Sequence, residues 1–209
     1  MRNVGAIILA AGGSSRLGQP KQLLTFRGET LVRRAVRAAA EAGCDPVIVV
    51  VGAISATIRS EVAIRESRIA SSSAPGDGAR TTVIENAEWR NGIGTSIRRG
   101  VEELAGSVEA VVLLACDQPF VDATIIAQLI AAHQKTAKRI VASSYANTFG
   151  IPALFDRSCF AALMALPDES GAKALIERDA DNVAAIAFED GAIDIDTPQD
   201  FERLKQNRD

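Results

Sequence analysis

A short stretch near the N-terminus combines adjacent glycines with two basic side chains, and this combination can bind anions. Residues 7–11 are apolar or small, as in a buried parallel strand, and Gly12 and Gly13 follow directly. Successive amides in a glycine-rich turn form a positive concavity for phosphate oxygens. Arg16 adds a planar guanidinium group and Lys21 a compact charge. Residues 11–21, called the phosphate loop below, are therefore predicted to hold a polyphosphate.

The glycine spacing excludes two common phosphate-binding motifs. Gly13-x-x-x-x-Gly18 has the first half of the Walker A spacing, but Gln-Pro-Lys follows where that motif needs Lys and Ser or Thr. The dinucleotide pattern G-x-G-x-x-G fails because Gly12 and Gly13 are adjacent and Gly18 lies too far along the chain. The simpler structural interpretation is a glycine turn between a strand and a helix.

An aspartate that follows the most apolar predicted strand is the second candidate for chemistry. Residues 110–115 are apolar, and Asp117 comes directly after this run. In open α/β sheets ligands gather beyond the carboxyl ends of the strands, so Asp117 is expected to face the same crevice as the phosphate loop. A carboxylate would repel a triphosphate unless a divalent cation lay between them. We therefore predict Asp117 as a ligand of Mg²⁺, with a strand-end turn as the alternative role.

The elements that must position these residues alternate along the chain. Hydrophobic residues make up 47% of the sequence and aromatic residues only 4%, which suits parallel strands covered by helices. A chain of 209 residues can bury one large core, and we predict a single domain over residues 1–209. Further strands are predicted at 46–52, 82–84, 140–145 and 183–188, and helix N-caps at Thr30, at Thr95 or Ser96, at Asp122 and at Thr197.

Two other segments carry predictions about local structure. Residues 192–198 alternate apolar and acidic side chains, which places Asp194 and Asp196 on one face and Ile193 and Ile195 on the other. Residues 71–78 are polar and rich in turn formers, and they are expected to form a mobile loop or, alternatively, a lid over the site.

Charge and cysteine content restrict the class of protein. The formal net charge is −3, which argues against a nucleic acid or an anionic membrane as the main partner, although basic residues are concentrated between 16 and 37. Three cysteines without metal-ligand spacing predict no disulfide framework. With no apparent signal peptide and no apolar run long enough for a membrane span, we expect a cytoplasmic protein.

The residues from Leu9 to Leu24, Leu-Ala-Ala-Gly-Gly-Ser-Ser-Arg-Leu-Gly-Gln-Pro-Lys-Gln-Leu-Leu, resemble the signature loop of nucleotidyltransferases of the molybdenum-cofactor type. The third residue, Ala11, and the Pro-Lys pair are more similar to the cytidylyltransferase branch than to the guanylyltransferase branch. The resemblance implies a three-layer α/β/α, Rossmann-like nucleotidyltransferase fold with a mainly parallel central sheet. It also implies Mg²⁺-dependent transfer of CMP from CTP to the phosphate of molybdopterin, with release of pyrophosphate.

Within this resemblance, Arg16, Lys21 and Asp117 correspond to catalytic residues. Asp117-Gln118-Pro119 matches a D-x-P motif, and the segment at 194–198 resembles one that adds Asp196, less strongly Asp194, as a second metal ligand. Nucleotide contacts are implied for Leu9, Ala10, Ala11, Gly12, Gly13, Arg16, Lys21, Gly92 and Ser96, and contacts to a phosphorylated acceptor for Gly150, Pro152 and Lys173.

The sequence leaves several alternatives open. Ile151 stands where several relatives carry His, and Pro167 replaces a glycine, so the acceptor is not fixed. Lys173 fits a solvated helix-start residue equally well, and His133, the one histidine, suits a helix C-terminus better than catalysis. A guanylyltransferase, a transferase for another phosphorylated acceptor, or a non-catalytic nucleotide-binding chaperone that docks transiently on a molybdoenzyme are the alternative functions.

Overall fold

A seven-stranded sheet forms the centre of the computed structural model, which describes residues 3–69 and 79–206 and, within 64–69, the backbone alone. The sheet consists of β1 (Val4–Ala10), β4 (Val47–Val51), β5 (Thr81–Glu85), β6 (Ala110–Ala115), β7 (Ile140–Tyr145), β8 (Thr148–Asp156) and β9 (Val183–Ala187), while β2 (Thr25–Phe26) and β3 (Glu29–Thr30) form a separate pair. The helices are α1 (Leu31–Glu41), α2 (Ser55–Ile69), α3 (Ile93–Leu104), α4 (Ala123–Thr136), α5 (Phe160–Met164), α6 (Lys173–Arg178) and α7 (Pro198–Gln206).

The strand order of the sheet is β5-β4-β1-β6-β8-β7-β9. All neighbouring strands pair in parallel except around β8, which is antiparallel to both β6 and β7. The chain runs from β1 outward to β4 and β5 and then returns to place β6 on the other side of β1. The carboxyl ends of β1 and β6 therefore flank a topological switch point, where ligands bind in open α/β sheets.

Two apolar layers cover the sheet and confirm the predicted three-layer α/β/α fold. Side chains of β1 alternate, so that Ala6 and Ile8 join one layer while Ile7 joins the other. The first layer contains buried residues of α1, α2 and α4, and the second contains buried residues of α3, α5 and α6.

A third apolar cluster joins distant parts of the chain beside the carboxyl edge of the sheet. It contains Leu17, Leu24, Phe26, Leu31, Ile195, Phe201 and Leu204 and is called the terminal cluster below. Because its members come from the phosphate loop and from the last helix, it holds residues 194–196 next to the loop.

The predicted N-caps had mixed outcomes. Asp122 caps α4 by accepting hydrogen bonds from the amides of Thr124 and Ile125, and Thr197 and Asp200 form a reciprocal capping box at α7, as predicted. Thr30 occupies the N-cap position of α1, but its hydroxyl group donates to Glu61 at 3.0 Å instead of capping the helix.

The prediction that Thr95 or Ser96 caps α3 is wrong. The helix already begins at Ile93 after Gly92, so both residues lie inside its first turns. Gly92 has a φ of 138°, a backbone conformation that starts the helix earlier than the side-chain pattern indicates.

The predicted alternation at 192–198 is also wrong. Glu189–Ala192 form a 3₁₀ turn and no strand follows, because Ile195 packs into the terminal cluster while Ile193 stays 39% exposed. The possible lid at 71–78 lies outside the described residues. No helix among the described residues combines the length and apolar character needed to cross a membrane.

The terminal cluster generates a stability prediction. Phe201→Ala removes an aromatic side chain that is 9% exposed, and we expect it to lower the free energy of unfolding by about 3 kcal/mol. Arg203→Ala, on the solvent side of the same helix, is the matched control and should change it by less than about 0.5 kcal/mol. Denaturant unfolding of both variants measures the difference, and equal effects would show that α7 does not depend on this packing.

Candidate active site

Four charged side chains form a cluster at the carboxyl edge of the sheet, namely Lys21, Asp117, Asp196 and Arg16. The Lys21 ammonium group contacts Asp117 Oδ2 and lies 3.1 Å from Asp196 Oδ1, and an Arg16 nitrogen lies 3.3 Å from Asp196 Oδ2. The Lys21 and Asp117 side chains are only 19% and 15% exposed, whereas Arg16 is 73% exposed. The structure thus brings together four predicted site residues that are up to 180 positions apart in sequence.

The ion pairs of this cluster change the pKa of Lys21. Partial burial lowers the pKa of Lys21, but the contacts with Asp117 and Asp196 outweigh it and raise the pKa above its ordinary value. Desolvation, followed by repulsion from Asp117 and Asp196, raises the pKa of the nearby Asp194 to about 6, although Asp194 as a residue remains exposed. Three carboxylates, those of Asp117, Asp194 and Asp196, therefore lie near two basic side chains, Lys21 and Arg16.

The shape of the phosphate loop depends on two polar side chains that sequence analysis missed. Ser14 adopts a left-handed conformation with a φ of 52°, and its hydroxyl oxygen accepts a 3.0 Å hydrogen bond from the Lys21 amide. The Gln22 side chain, 1% exposed, donates to the Ala10 and Gly12 carbonyl oxygens at 2.9 and 2.7 Å. The only signal for Gln22 in the sequence is a polar residue directly before two leucines.

The single tryptophan of the chain packs against the phosphate loop. A Cβ atom at Gly13 would lie 3.0 Å from the Trp89 ring, and one at Gly52 would lie 2.5 Å from the ring and 2.8 Å from the Ala11 carbonyl oxygen. The Arg90 guanidinium group covers the same ring at 4.5 Å from its centroid. Both glycines are therefore required by the close approach of the indole, which supports the loop from the side.

The predicted nucleotide-binding residues at the start of α3, Gly92 and Ser96, contact other parts of the protein. Ser96 is 4% exposed and its hydroxyl group accepts a hydrogen bond from the Asn86 side chain at 3.0 Å. A Cβ atom at Gly92 would lie 2.2 Å from the Asp168 carbonyl oxygen, which accepts a 2.8 Å hydrogen bond from the Gly94 amide. The structure thus gives Gly92 and Ser96 packing contacts, and their contact with a nucleotide stays a prediction.

A cleft of about 230 Å³ is connected to the charged cluster through Gln118, the residue after Asp117, which donates a hydrogen bond to the carbonyl oxygen of Ile151 in the cleft wall. Tyr145 lies over Gly150 in its wall, and the tyrosine hydroxyl group donates to the Ile151 carbonyl oxygen at 3.0 Å. Lys173, the first residue of α6, stands at the rim with half of its side chain exposed. The cleft is lined by Leu9, Ile93, Ile97, Tyr145, Thr148, Phe149, Gly150, Ile151, Gly171, Ala172 and Lys173.

Two of the three predicted acceptor residues line this cleft, and the third lies close behind it. Gly150 and Lys173 line the cleft, while Pro152 lies behind it and its carbonyl oxygen accepts a 2.7 Å hydrogen bond from Ser143. Because β8 is antiparallel, its first residues lie at the same sheet edge as the last residues of β6 and β7.

The carboxylates of the charged cluster fit a hard divalent cation in part. Among the side chains that the structure describes, which exclude those of residues 64–69, no three His, Cys, Asp or Glu are grouped so that they could hold a metal ion. Mg²⁺, however, is usually held by one or two carboxylates and completes its coordination with substrate phosphates and water. Asp117 and Asp196 converge on the single point where both contact Lys21, so a two-carboxylate donor set is present.

Comparison with known proteins assigns the family. A family model described as "MobA-like NTP transferase domain" matches residues 6–183. The chain belongs to this family. The match includes the phosphate loop, Asp117 and the cleft, and it ends before Asp196.

Relatives in the MobA-like family carry diverse names. PucB, a purine catabolism protein of Bacillus subtilis, is 28% identical over 204 residues, which cover 96% of this chain and 95% of PucB. A nicotine blue oxidoreductase of Paenarthrobacter nicotinovorans is 29% identical over 69% of this chain, and the match spans 63% of that protein. A probable molybdenum cofactor guanylyltransferase of Opitutus terrae is 51% identical over 43 residues, 21% of each chain.

Solved structures support the same fold. Rv0371c of Mycobacterium tuberculosis aligns with a TM-score of 0.77 at 28% identity, covering 99% of this chain and 98% of Rv0371c. A second structure of Rv0371c, in complex with manganese, aligns with a TM-score of 0.74 at 26% identity, covering 99% of this chain and all of that one.

The packing of Trp89 generates a prediction that does not depend on function. Gly52→Ala inserts a methyl group against the indole, so we expect a shift in Trp89 fluorescence emission and a loss of about 1–3 kcal/mol in the free energy of unfolding. Gly106→Ala is the control, because no atom lies within 4 Å of its added Cβ. Unchanged emission in the Gly52 variant would show that the indole does not pack at this position.

Proposed function

We propose that this member of the family is a nucleotidyltransferase that transfers CMP from CTP to the phosphate of molybdopterin and releases pyrophosphate. The observation that carries the proposal is the position of Lys21. It ends a glycine-rich loop at the switch point of the sheet and contacts Asp117 and Asp196, and an adjoining cleft can take a second substrate. Two anionic substrates could thus meet beside one cluster of charges.

The chain's own groups supply the chemistry that this reaction needs. In-line attack of one phosphate on the α-phosphorus of a nucleotide requires alignment of two anions and neutralisation of the leaving pyrophosphate. In our proposal the amides of residues 11–13 bind the β- and γ-phosphates, and Arg16 and Lys21 neutralise the pyrophosphate. Leu9 and Ala10 lead into this loop, and Gly92 and Ser96 lie on the nucleoside side.

A general base is not needed, because an acceptor phosphate is already ionised near neutral pH. This agrees with the position of His133, the one histidine of the chain. Its ring is 2% exposed, and Nδ1 lies 2.9 Å from the Lys138 carbonyl oxygen. Its other neighbour, Asp156, pairs with Ala110 at the start of β6, at the sheet edge opposite the proposed site.

We further propose that Asp117 and Asp196 hold Mg²⁺. When bound, the ion would neutralise charge on the phosphates of the nucleotide. The manganese complex of Rv0371c supports a divalent cation in the family, but Mg²⁺ itself is our proposal.

The cleft would take the acceptor, with Gly150 in its wall, Pro152 behind that wall and Lys173 at the rim. The mainly apolar wall of the cleft suits a ring system, and Lys173 at the rim suits a phosphate. The name of the Opitutus relative supports a molybdenum-cofactor substrate, and the Pro-Lys ending of the phosphate loop supports CTP.

That same name favours a second candidate, a guanylyltransferase with the same acceptor. The oxidoreductase name of another relative does not extend to our proposal, since the first loop lacks the G-x-G-x-x-G spacing of dinucleotide-binding proteins.

As part of the proposal, residues 1–209 act as one cytoplasmic domain that needs neither nucleic acid nor membrane. Transient docking to a molybdoenzyme would be measured by co-elution with the cofactor-free enzyme.

The deciding experiment measures pyrophosphate release from CTP, GTP, ATP and UTP with Mg²⁺, with and without molybdopterin. We expect release only with CTP and molybdopterin together. Release with GTP would establish the guanylyltransferase instead. Nucleotide binding without turnover would favour a cofactor-delivering chaperone, and absence of binding would contradict the proposal as a whole.

In the same assay, Lys21→Ala and Asp117→Ala are each expected to lower turnover at least a hundredfold, because each removes a charge next to the reacting phosphates. Lys135→Ala, at an exposed lysine of α4, is the control and should keep normal turnover. Circular dichroism verifies that the variants fold, and a folded variant with normal turnover would contradict the role proposed for that residue.

The shared carboxylates generate a binding prediction that is independent of turnover. Lys21 and a divalent cation compete for Asp117 and Asp196, so Lys21→Met should tighten Mn²⁺ binding without nucleotide by about tenfold. Calorimetric titration with Mn²⁺ alone measures the dissociation constants, and Lys135→Met is the control. Equal constants for all three proteins would exclude the competition.

A further inference from the structure

Two buried glutamines follow directly after the two central charged residues, Gln22 after Lys21 and Gln118 after Asp117. Both side chains are almost fully enclosed, with 1% and 6% of each residue exposed. Burial of a glutamine side chain is unfavourable unless its polar atoms form hydrogen bonds, so each carboxamide is expected to have a structural reason for its position.

Each carboxamide donates both of its N–H groups to main-chain carbonyl oxygens. Gln22 donates to Ala10 and Gly12 at 2.9 and 2.7 Å, and Gln118 donates to Ile151 and Gly191 at 3.0 and 2.9 Å. Carbonyl oxygens can only accept, so these contacts fix the orientation of each carboxamide. Among the described residues neither Oε1 atom has a hydrogen-bond partner, so each carboxamide leaves its buried acceptor unsatisfied, which is unfavourable.

The contacts of Gln22 set the direction of the loop amides. In a planar trans peptide the C=O and the following N–H point to opposite sides. Because Gln22 holds the Ala10 and Gly12 carbonyl groups, the N–H groups of Ala11 and Gly13 point away from it. These are amides that our proposal assigns to the nucleotide phosphates.

The contacts of Gln118 join the other two parts of the site. Ile151 belongs to the wall of the cleft, and Gly191 precedes the segment that carries Asp194 and Asp196. The Ile151 carbonyl oxygen also accepts a hydrogen bond from Tyr145, whose ring lies against Gly191. Tyr145 therefore joins Ile151 to Gly191 in the same way as Gln118. The end of the segment, with Asp196, is held separately. The Ile195 amide donates a 3.1 Å hydrogen bond to the Asp117 carbonyl oxygen.

We propose that Gln22 and Gln118 are positioning residues with separate tasks, Gln22 for the nucleotide side and Gln118 for the acceptor side of the site. This inference rests on the proposed function for its kinetic consequences. The bonding pattern itself belongs to the folded protein and can be measured without any substrate.

The kinetic test replaces each glutamine by methionine, which is of similar length and unbranched but has no amide. Gln22→Met is expected to raise the KM for the nucleotide at least tenfold and to leave the KM for the acceptor within twofold. Gln118→Met is expected to raise the KM for the acceptor at least tenfold and to leave the KM for the nucleotide within twofold. Gln128→Met, on the exposed face of α4, is the matched control and should change neither constant.

Nucleotide binding to each variant is also followed by the fluorescence of Trp89, which touches Gly13. We expect at least tenfold weaker binding to Gln22→Met and unchanged binding to Gln118→Met. If both folded variants change both constants equally, or neither, the separate tasks are refuted. If wild-type protein binds no nucleotide, the proposed function fails.

A measurement on the unmodified protein covers the case in which a variant does not fold or the proposed function fails. In NMR spectra the side-chain NH₂ protons of Gln22 and Gln118 should exchange with solvent at least a hundredfold more slowly than those of exposed Gln128. Fast exchange at either glutamine would refute its bonding and its positioning role. Slow exchange would support the bonding pattern even when no nucleotide is bound.

Discussion

The Lys21 ammonium group is shared by two carboxylates that come from very different parts of the chain, and this contact imposes the main requirement on the structure. Lys21 follows the first strand, Asp117 follows the sixth, and Asp196 precedes the last helix. These three charged side chains are partly buried at one point. A partly buried charge without its partner is energetically unfavourable, so each of the three must be held in place. The sheet topology and the terminal cluster meet this requirement in different ways.

The sheet places the first two charges at the same edge. Because β1 and β6 are parallel neighbours, the residues that follow them emerge at the same edge, and the reversal of strand order opens a crevice between the connections. Asp196 has no such strand. Its position depends on Ile195, which is fully buried in the terminal cluster, and on the capping box that starts α7 directly after it. The third charge is thus fixed by packing and capping instead of by the sheet.

This difference explains how far the site could be predicted from the sequence. The phosphate loop and Asp117 carry local signals, a glycine pattern and an apolar run that ends at an acid, and the structure brings them together as the strand order requires. Asp196 was predicted as a site residue only from the family resemblance. Its local structure was predicted wrongly, because the acidic alternation is typical of a strand while the packing of Ile195 decides the backbone conformation. The contacts of Trp89 with Gly13 and Gly52, and of Tyr145 with Gly191, join residues far apart in sequence. No local pattern could indicate these pairs.

The antiparallel strand β8 has a further consequence for the two halves of the site. Tyr145 ends β7 and Thr148 begins β8, so a two-residue turn with positive φ at Ala146 and Asn147 forms the tip of the hairpin that walls the cleft. A hairpin tip can gain or lose residues without disturbing the ladders of its strands. The cleft wall can therefore change its length and chemistry while the phosphate loop, built on another strand, stays as it is. In the proposed function, such a division would let one scaffold keep its nucleotide side unchanged and accept chemically different second substrates.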